Sequence, residues 1–231
     1  MFTEPKIAPS ILSADFMNME RDIHMIEEAG ADYIHVDVMD GHFVPNLTLG
    51  VPFVQQIKKV TTLPLDVHLM ISNPLTQLPW YLKAQPEIVT VHIETLDEDN
   101  DEVTQAINMI HEAGCKACLS LKPDADVERL VPYIAQLDMV LLMSVYPGFS
   151  GQKFIEGTDA RVARVVEMAR EAGVAPLIEV DGGLGVNDAT RKVSAAGVDM
   201  FVAGSAVFAA EDPAAAIGQI KATAREARET A

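Results

Sequence analysis

The segment Tyr33-Ile34-His35-Val36-Asp37-Val38-Met39-Asp40-Gly41-His42 decides how the rest of the chain is read. On a β-strand successive side chains alternate faces, so His35, Asp37 and Met39 project together while Ile34, Val36 and Val38 project the other way. A histidine and a carboxylate on one strand face, leading into a Gly-containing loop, describe half of a metal or acid/base site. The other half has to come from elsewhere in the chain.

Working outward, strand-like segments recur at Ile7–Ile11, Leu65–Met70, Ile88–His92, Lys116–Leu121, Met139–Val145, Leu177–Asp181 and Met200–Ala203. Between them apolar residues fall at helical spacing. These predict helices from Met19 to Ile26, Val51 to Val60, about Leu75 to Ala84, Glu102 to Ala113, Asp126 to Ala135, Thr158 to Ala172 and Asn187 to Ala196, with a last one after Pro213. The pair Ala-Gly precedes strands at Gly30, Gly114, Gly173 and Gly197, where it suits a helix C-terminal cap. Eight such units in 231 residues average about 29 each, the size of a β/α unit. The expectation is a single (β/α)8 TIM barrel, one domain over residues 1–231, with an open doubly wound sheet as the alternative.

Composition narrows the partners. Net charge is -17, which argues against nucleic acid or an anionic membrane surface, because both reward Lys/Arg-rich faces. It leaves a small anionic substrate open. No apolar run reaches the roughly 18–20 residues a bilayer span needs. The start, Met1-Phe2-Thr3-Glu4-Pro5-Lys6, lacks the form of a signal peptide. Cys115 and Cys118 form a lone C-x-x-C in an apolar stretch and read as buried structural thiols, consistent with a reduced, cytoplasmic location.

In a parallel barrel, functional groups gather where strands end. His35 and Asp37 end the second strand, His68 the third and Asp181 the seventh. Two imidazoles and two carboxylates suit one divalent ion of the Zn2+, Fe2+, Mn2+ or Co2+ type; a catalytic cluster without metal stays open. His92 and Glu179 read as supporting residues of this centre, and His24 and His111 as surface residues. Asp181-Gly182-Gly183 and Gly204-Ser205 lie where such barrels cradle phosphate, after the seventh and eighth strands. Tyr146 to Gly151, with Gly148, Phe149 and Ser150, follows the sixth strand and reads as a lid. Met39, Met70 and Met143 stand near strand ends as an apolar lining.

The stretches Ala8–Phe16, His35–Asn46, Asp66–Met70, Pro147–Gly148–Phe149 with Gly151–Gln152, and Val180–Gly183 together resemble the ribulose-phosphate 3-epimerase family, over Ile7 to about Phe208. The resemblance implies metal ligands at His35, Asp37, His68 and Asp181, with Asp37 and Asp181 as the two acid/base groups. It implies substrate contacts at Ser10 and His68, phosphate contacts at Gly182, Gly183, Gly204 and Ser205, and a mobile loop at Gly148–Gly151. The reaction implied is interconversion of D-ribulose 5-phosphate and D-xylulose 5-phosphate in the pentose phosphate pathway, without a redox cofactor. Tyr146, Ser150 and Lys122-Pro123 depart from the family's usual residues, all at the substrate rim. A 3-epimerase of a hexulose 6-phosphate such as D-allulose 6-phosphate is the alternative, although Gly182-Gly183 is more like the pentulose enzymes. A non-catalytic sugar-phosphate-binding protein is a third. A homo-oligomer is expected.

Overall fold

The strand segments are buried on both faces, as parallel strands are when helices cover one side and other strands the other. In β2 (Ile34–Met39), β3 (Leu65–Met70) and β4 (Ile88–His92) every position is buried. The computed structural model describes residues 4–230. The reading of Met1-Phe2-Thr3 as the start, and Ala231 of the expected domain, lie outside the described residues.

The remaining strands are β1 (Lys6–Ala8), β5 (Lys116–Leu121), β6 (Met139–Met143), β7 (Leu177–Asp181) and β8 (Met200–Val202). All pairs are parallel, in the order β1-β8-β7-β6-β5-β4-β3-β2. The seam between β1 and β2 is narrow: a parallel bridge joins Ser10 to His35, and the His35 N–H donates to Pro9 C=O at 3.1 Å. Pro9 has no N–H to return, so this edge is less regular than the others. The result is a (β/α)8 barrel.

The helices are α1 (Met19–Glu28), α2 (Val51–Val60), α3 (Pro74–Leu82), α4 (Glu102–Glu112), α5 (Thr158–Ala172), α6 (Asp188–Ala196), α7 (Ser205–Phe208) and α8 (Pro213–Glu229). Their apolar stripes and the outward strand faces form the main core, including Ile34, Val36 and Val38. The four Ala-Gly caps all have positive φ, from 72° to 119°.

One expected helix is absent. Residues 126–135 form two 3-10 turns, Val127–Leu130 and Ile134–Gln136, instead of one α-helix. Pro132 lies between them; it cannot donate a helical hydrogen bond and disfavours the helical conformation of Val131 before it. The short α7 starts directly after Gly204, ahead of the long α8.

This layout decides where chemistry sits. Inward residues converge above an apolar plug that contains Ala8, Met139, Leu141 and Met200: His92 and Asp181 are the last residues of β4 and β7, whereas His35, Asp37 and His68 lie within β2 and β3, His35 only one residue from the start of its strand. Phe201, fully buried on the outward face of β8, anchors the opposite side of the wall. Truncation by Phe201→Ala is expected to cost about 3–5 kcal/mol. Urea denaturation at unchanged m-value checks this; a cost under about 1 kcal/mol contradicts the packing.

Candidate active site

Strand register builds the centre. On β2 and β3, Asp37 pairs with His68 and His35 with Asp66; on β6 and β7, Met143 pairs with Asp181. One ligand atom from each of His35, Asp37, His68 and Asp181 lies within 4.8 Å of the others. Asp37 Oδ1 stands 3.4 Å from His35 Nε2 and 3.5 Å from His68 Nδ1, and Asp181 Oδ2 stands 3.9 Å from His35 Nε2. His35 Nε2 and His68 Nδ1 are fully buried and have no hydrogen-bond partner in the protein. Buried polar atoms are rarely left so. Two orphan imidazole nitrogens aimed at two carboxylates fit a divalent cation, and the residues present can hold one.

The environment splits the two carboxylates. Burial raises the pKa of Asp37, but the charge of His35 and the closeness of the His35 and His68 rings outweigh it and hold Asp37 well below the ordinary range. Burial, and then the neighbouring Asp37 charge, push Asp181 up to about 7. Burial lowers His68 to about 4. Burial also opposes charge on His35, yet Asp66 and Asp37 raise it well above the usual imidazole value. Carboxylates that favour a proton on His35 Nε2 would favour a cation there too.

Side chains around the cluster orient it. Ser10 Oγ donates to Asp37 Oδ2 at 2.5 Å. His35 Nδ1 meets Asp66 Oδ2 at 2.5 Å, which leaves Nε2 facing the centre. A deeper trio of His35, Asp66 and Glu179 also lies within ligand reach, but its one nitrogen is the His35 Nδ1 that Asp66 engages. Burial and then Asp66 raise Glu179 well above the carboxylate range, which favours its neutral form beneath the site.

Above the cluster opens a cavity of about 520 Å3. Ser10, Asp37, Asp181, Gly182, Gly183, Gly204 and Ser205 line it, as do Gly148 to Gly151 and the three methionines Met39, Met70 and Met143. His35 and His68 are wholly buried and do not line it. The Gly-Gly turn is required by space. A Cβ on Gly183 would come within 2.6 Å of Phe154 N, and one on Gly182 within 2.5 Å of the Val145 side chain; both have positive φ.

The lid loop is pinned at several points. Asn46 Nδ2 donates to Gly148 O at 2.9 Å, Gln152 Nε2 donates to Tyr146 O and Phe149 O, and Ser150 Oγ meets Ser13 Oγ at 2.6 Å. Tyr146 is half exposed at the rim, and Lys122 Nζ sits 3.9 Å over the Phe43 ring. Asp40 ties the β2 and β3 loops together by accepting from Ser72 N and Oγ, each at 2.8 Å. Burial raises its pKa, but the N–H donors of Ser72, His42 and Phe43 bring it down to about 2.

Sequence reading missed Asp66, Ser13, Ser144 and Glu94. Asp66 was accessible: it precedes His68 by two and so shares its face. Ser144, whose Oγ donates to Asp181 O and Gly182 O at 2.9 and 2.7 Å, follows the sixth strand without a motif. Ser13 meets Ser150 across 137 positions, which no local pattern records.

Comparison with known proteins agrees with this geometry. Residues 6–208 match the model of the "Ribulose-phosphate 3 epimerase family". The chain is 45% identical to the chloroplastic ribulose-5-phosphate-3-epimerase of Arabidopsis thaliana, covering 96% of this chain and 78% of that one. It is 45% identical to the ribulose-phosphate 3-epimerase of Bacillus subtilis, covering 94% and 98%. Among solved structures, KGPDC from Streptococcus mutans aligns with a TM-score of 0.69 at 13% identity, covering 96% of this chain and 98% of that one, a likeness of fold alone.

Gly183→Ala is expected to weaken binding of a sugar phosphate by more than about tenfold while leaving the fold intact, because the Gly183 turn cannot hold a Cβ. Calorimetric titration beside a circular-dichroism melt checks this. Unchanged affinity contradicts a role for the turn.

Proposed function

The chain belongs to the ribulose-phosphate 3-epimerase family, and from that premise we propose that it interconverts D-ribulose 5-phosphate and D-xylulose 5-phosphate, with Asp37 and Asp181 moving the proton at C3. It is an epimerase, of the isomerase class. The observation that carries the residue assignment is the pair of carboxylates in one centre, Asp37 buried and Asp181 partly exposed, whose proton affinities are driven apart.

Inverting a carbon that bears an acidic hydrogen needs a base on one face and an acid on the other. Asp37, held ionised, takes the C3 proton of ribulose 5-phosphate. The electron pair moves into an enediolate. Asp181, protonated near neutral pH, returns a proton from the opposite face and is left as the carboxylate. One turnover leaves Asp37 protonated and Asp181 ionised, so exchange with solvent resets the pair before the next, and in the reverse direction the two exchange roles. When bound among His35, Asp37, His68 and Asp181, a divalent ion supplies Lewis-acid polarisation of the C2 carbonyl and C3 hydroxyl oxygens. Zn2+ or Fe2+ suits this donor set best, and Mn2+ or Co2+ also matches it.

Binding falls to other groups. Ser10 orients Asp37. Backbone N–H groups at Gly182, Gly183, Gly204 and Ser205 receive the phosphate, a role suited to a cavity with no Lys or Arg among its described lining residues. Gly148, Phe149, Ser150 and Gly151 cover the substrate, and Met39, Met70 and Met143 keep water from the enediolate. The relatives' names favour the pentulose over a hexulose 6-phosphate and favour catalysis over mere binding.

Among the described residues no helix is long and apolar enough to cross a membrane. The free, buried thiols of Cys115 and Cys118 support a cytoplasmic location. A homo-oligomer is part of the proposal, and Met17 and Leu47, the most exposed large apolar side chains among the described residues, are its candidate contacts.

Asp37→Asn and Asp181→Asn are each expected to lower interconversion by about 10²–10⁴-fold. Each variant keeps one base, so Asp181→Asn still exchanges the C3 hydrogen of ribulose 5-phosphate with solvent, and Asp37→Asn that of xylulose 5-phosphate. Proton NMR in deuterated water, on protein of verified metal content, reads both effects. Near-normal epimerisation by either variant contradicts the assignment.

A further inference from the structure

A line of hydrogen bonds leads away from the centre toward the end of β4 and the residue that follows β5. His68 Nε2 lies 2.9 Å from His92 Nε2, and His92 Nδ1 lies 3.2 Å from Glu94 Oε2. The other carboxylate oxygen, Glu94 Oε1, accepts the backbone N–H of Lys122 at 2.6 Å. Both imidazoles are wholly buried, so water cannot replace a partner of either ring, and Glu94 is the partly exposed end of the line. Phe43 closes over His92, with ring centroids 4.7 Å apart.

With both imidazoles neutral, the hydrogens in this line have one consistent arrangement. A carboxylate accepts and does not donate, so His92 Nδ1 carries the proton that Glu94 receives. Neutral His92 then has a lone pair at Nε2. That lone pair needs a donor, and His68 Nε2, 2.9 Å away, is its partner among the described residues and therefore carries its proton. His68 is left with a lone pair at Nδ1, the orphan atom that faces Asp37. His35 reaches the centre through the opposite nitrogen because Asp66 engages its Nδ1.

We propose that Glu94 and His92 are positioning residues that fix His68 as its Nε2–H tautomer and so present Nδ1 to the metal ion. The inference rests on the metal-dependent reading above. No group in the line gains or loses charge; the hydrogen bonds only take a direction. The direction originates at Glu94, because a carboxylate at that point faces two donors, His92 Nδ1–H and Lys122 N–H, with two acceptor oxygens.

Glutamine cannot do the same. In Glu94→Gln one acceptor becomes an NH2 group. Turned toward Lys122 N–H, that amide opposes a donor with a donor. Turned toward His92, it reverses the His92 tautomer, which sets two N–H groups against each other until His68 flips and blocks Nδ1. Ligand-orienting partners of this kind typically change metal affinity by about 10–100-fold.

Two measurements test the proposal. Long-range 1H–15N spectra of metal-free wild-type protein at pH 8, with His68 and His92 assigned by substitution, are expected to show the proton on Nε2 of His68 and on Nδ1 of His92. Competition with a chromogenic chelator for Zn2+ is expected to show Glu94→Gln binding about 10–100-fold more weakly than wild type. A proton on His68 Nδ1 in the wild type overturns the proposal, and so does Zn2+ affinity of Glu94→Gln within twofold of wild type. If the wild type binds Zn2+ and epimerises while Glu94→Gln binds equally well, the relay alone fails. If the wild type binds no divalent ion, the metal-dependent reading fails and takes the relay with it.

Discussion

The constraint on which this structure depends is the burial of charge. Asp37, Asp66 and Glu179 lie in the barrel interior with His35 and His68, and Asp181 stands just above them. Isolated buried ions are costly, and breaking a compensated set is costlier than never having built it. The molecule meets the cost in layers. Glu179 favours its neutral form, Asp66 holds His35, and Ser10 holds Asp37. At the top two imidazole nitrogens remain unpaired, and a divalent cation balances the two carboxylates around them.

The same constraint separates Asp37 from Asp181. Asp37 has two imidazoles beside it and a serine donor; Asp181 has chiefly burial and the Asp37 charge. Two like groups in one centre thus take opposite resting states, as an acid and a base require. Substrate charge is handled apart from this cluster. A chain of net charge -17 cannot attract a phosphate by its overall field, so backbone donors at the β7 and β8 ends, where Gly182 and Gly183 allow close approach, suit the task.

Much of this was legible in the sequence because parallel-barrel strands carry their own signature. The spans of β3, β4, β5 and β7 coincide with the apolar segments read from the chain, as do α2 and α5. Two-residue alternation put His35 and Asp37 on one face, and the barrel rule put them with His68 and Asp181 at strand ends; the structure brings the four together, although His35 lies near the start of β2. Illegible features were of two kinds. Residues 126–135 keep a helical pattern of apolar side chains, but Pro132 breaks the backbone into 3-10 turns. The Ser13–Ser150 contact and the Glu94–Lys122 bond join distant loops, so they depend on barrel closure, which no single segment encodes. Asp66 falls between, visible by spacing once His68 is taken as a ligand.

The central claim is that this cluster inverts C3 of a pentulose phosphate by passing a proton through two carboxylates that exchange with solvent. The direct measurement is incubation of the metal-analysed protein with ribulose 5-phosphate, and separately with allulose 6-phosphate, in deuterated water. The account predicts xylulose 5-phosphate carrying deuterium at C3, with the hexulose turned over poorly. Xylulose 5-phosphate that keeps its original C3 hydrogen, or turnover confined to the hexulose, would contradict it.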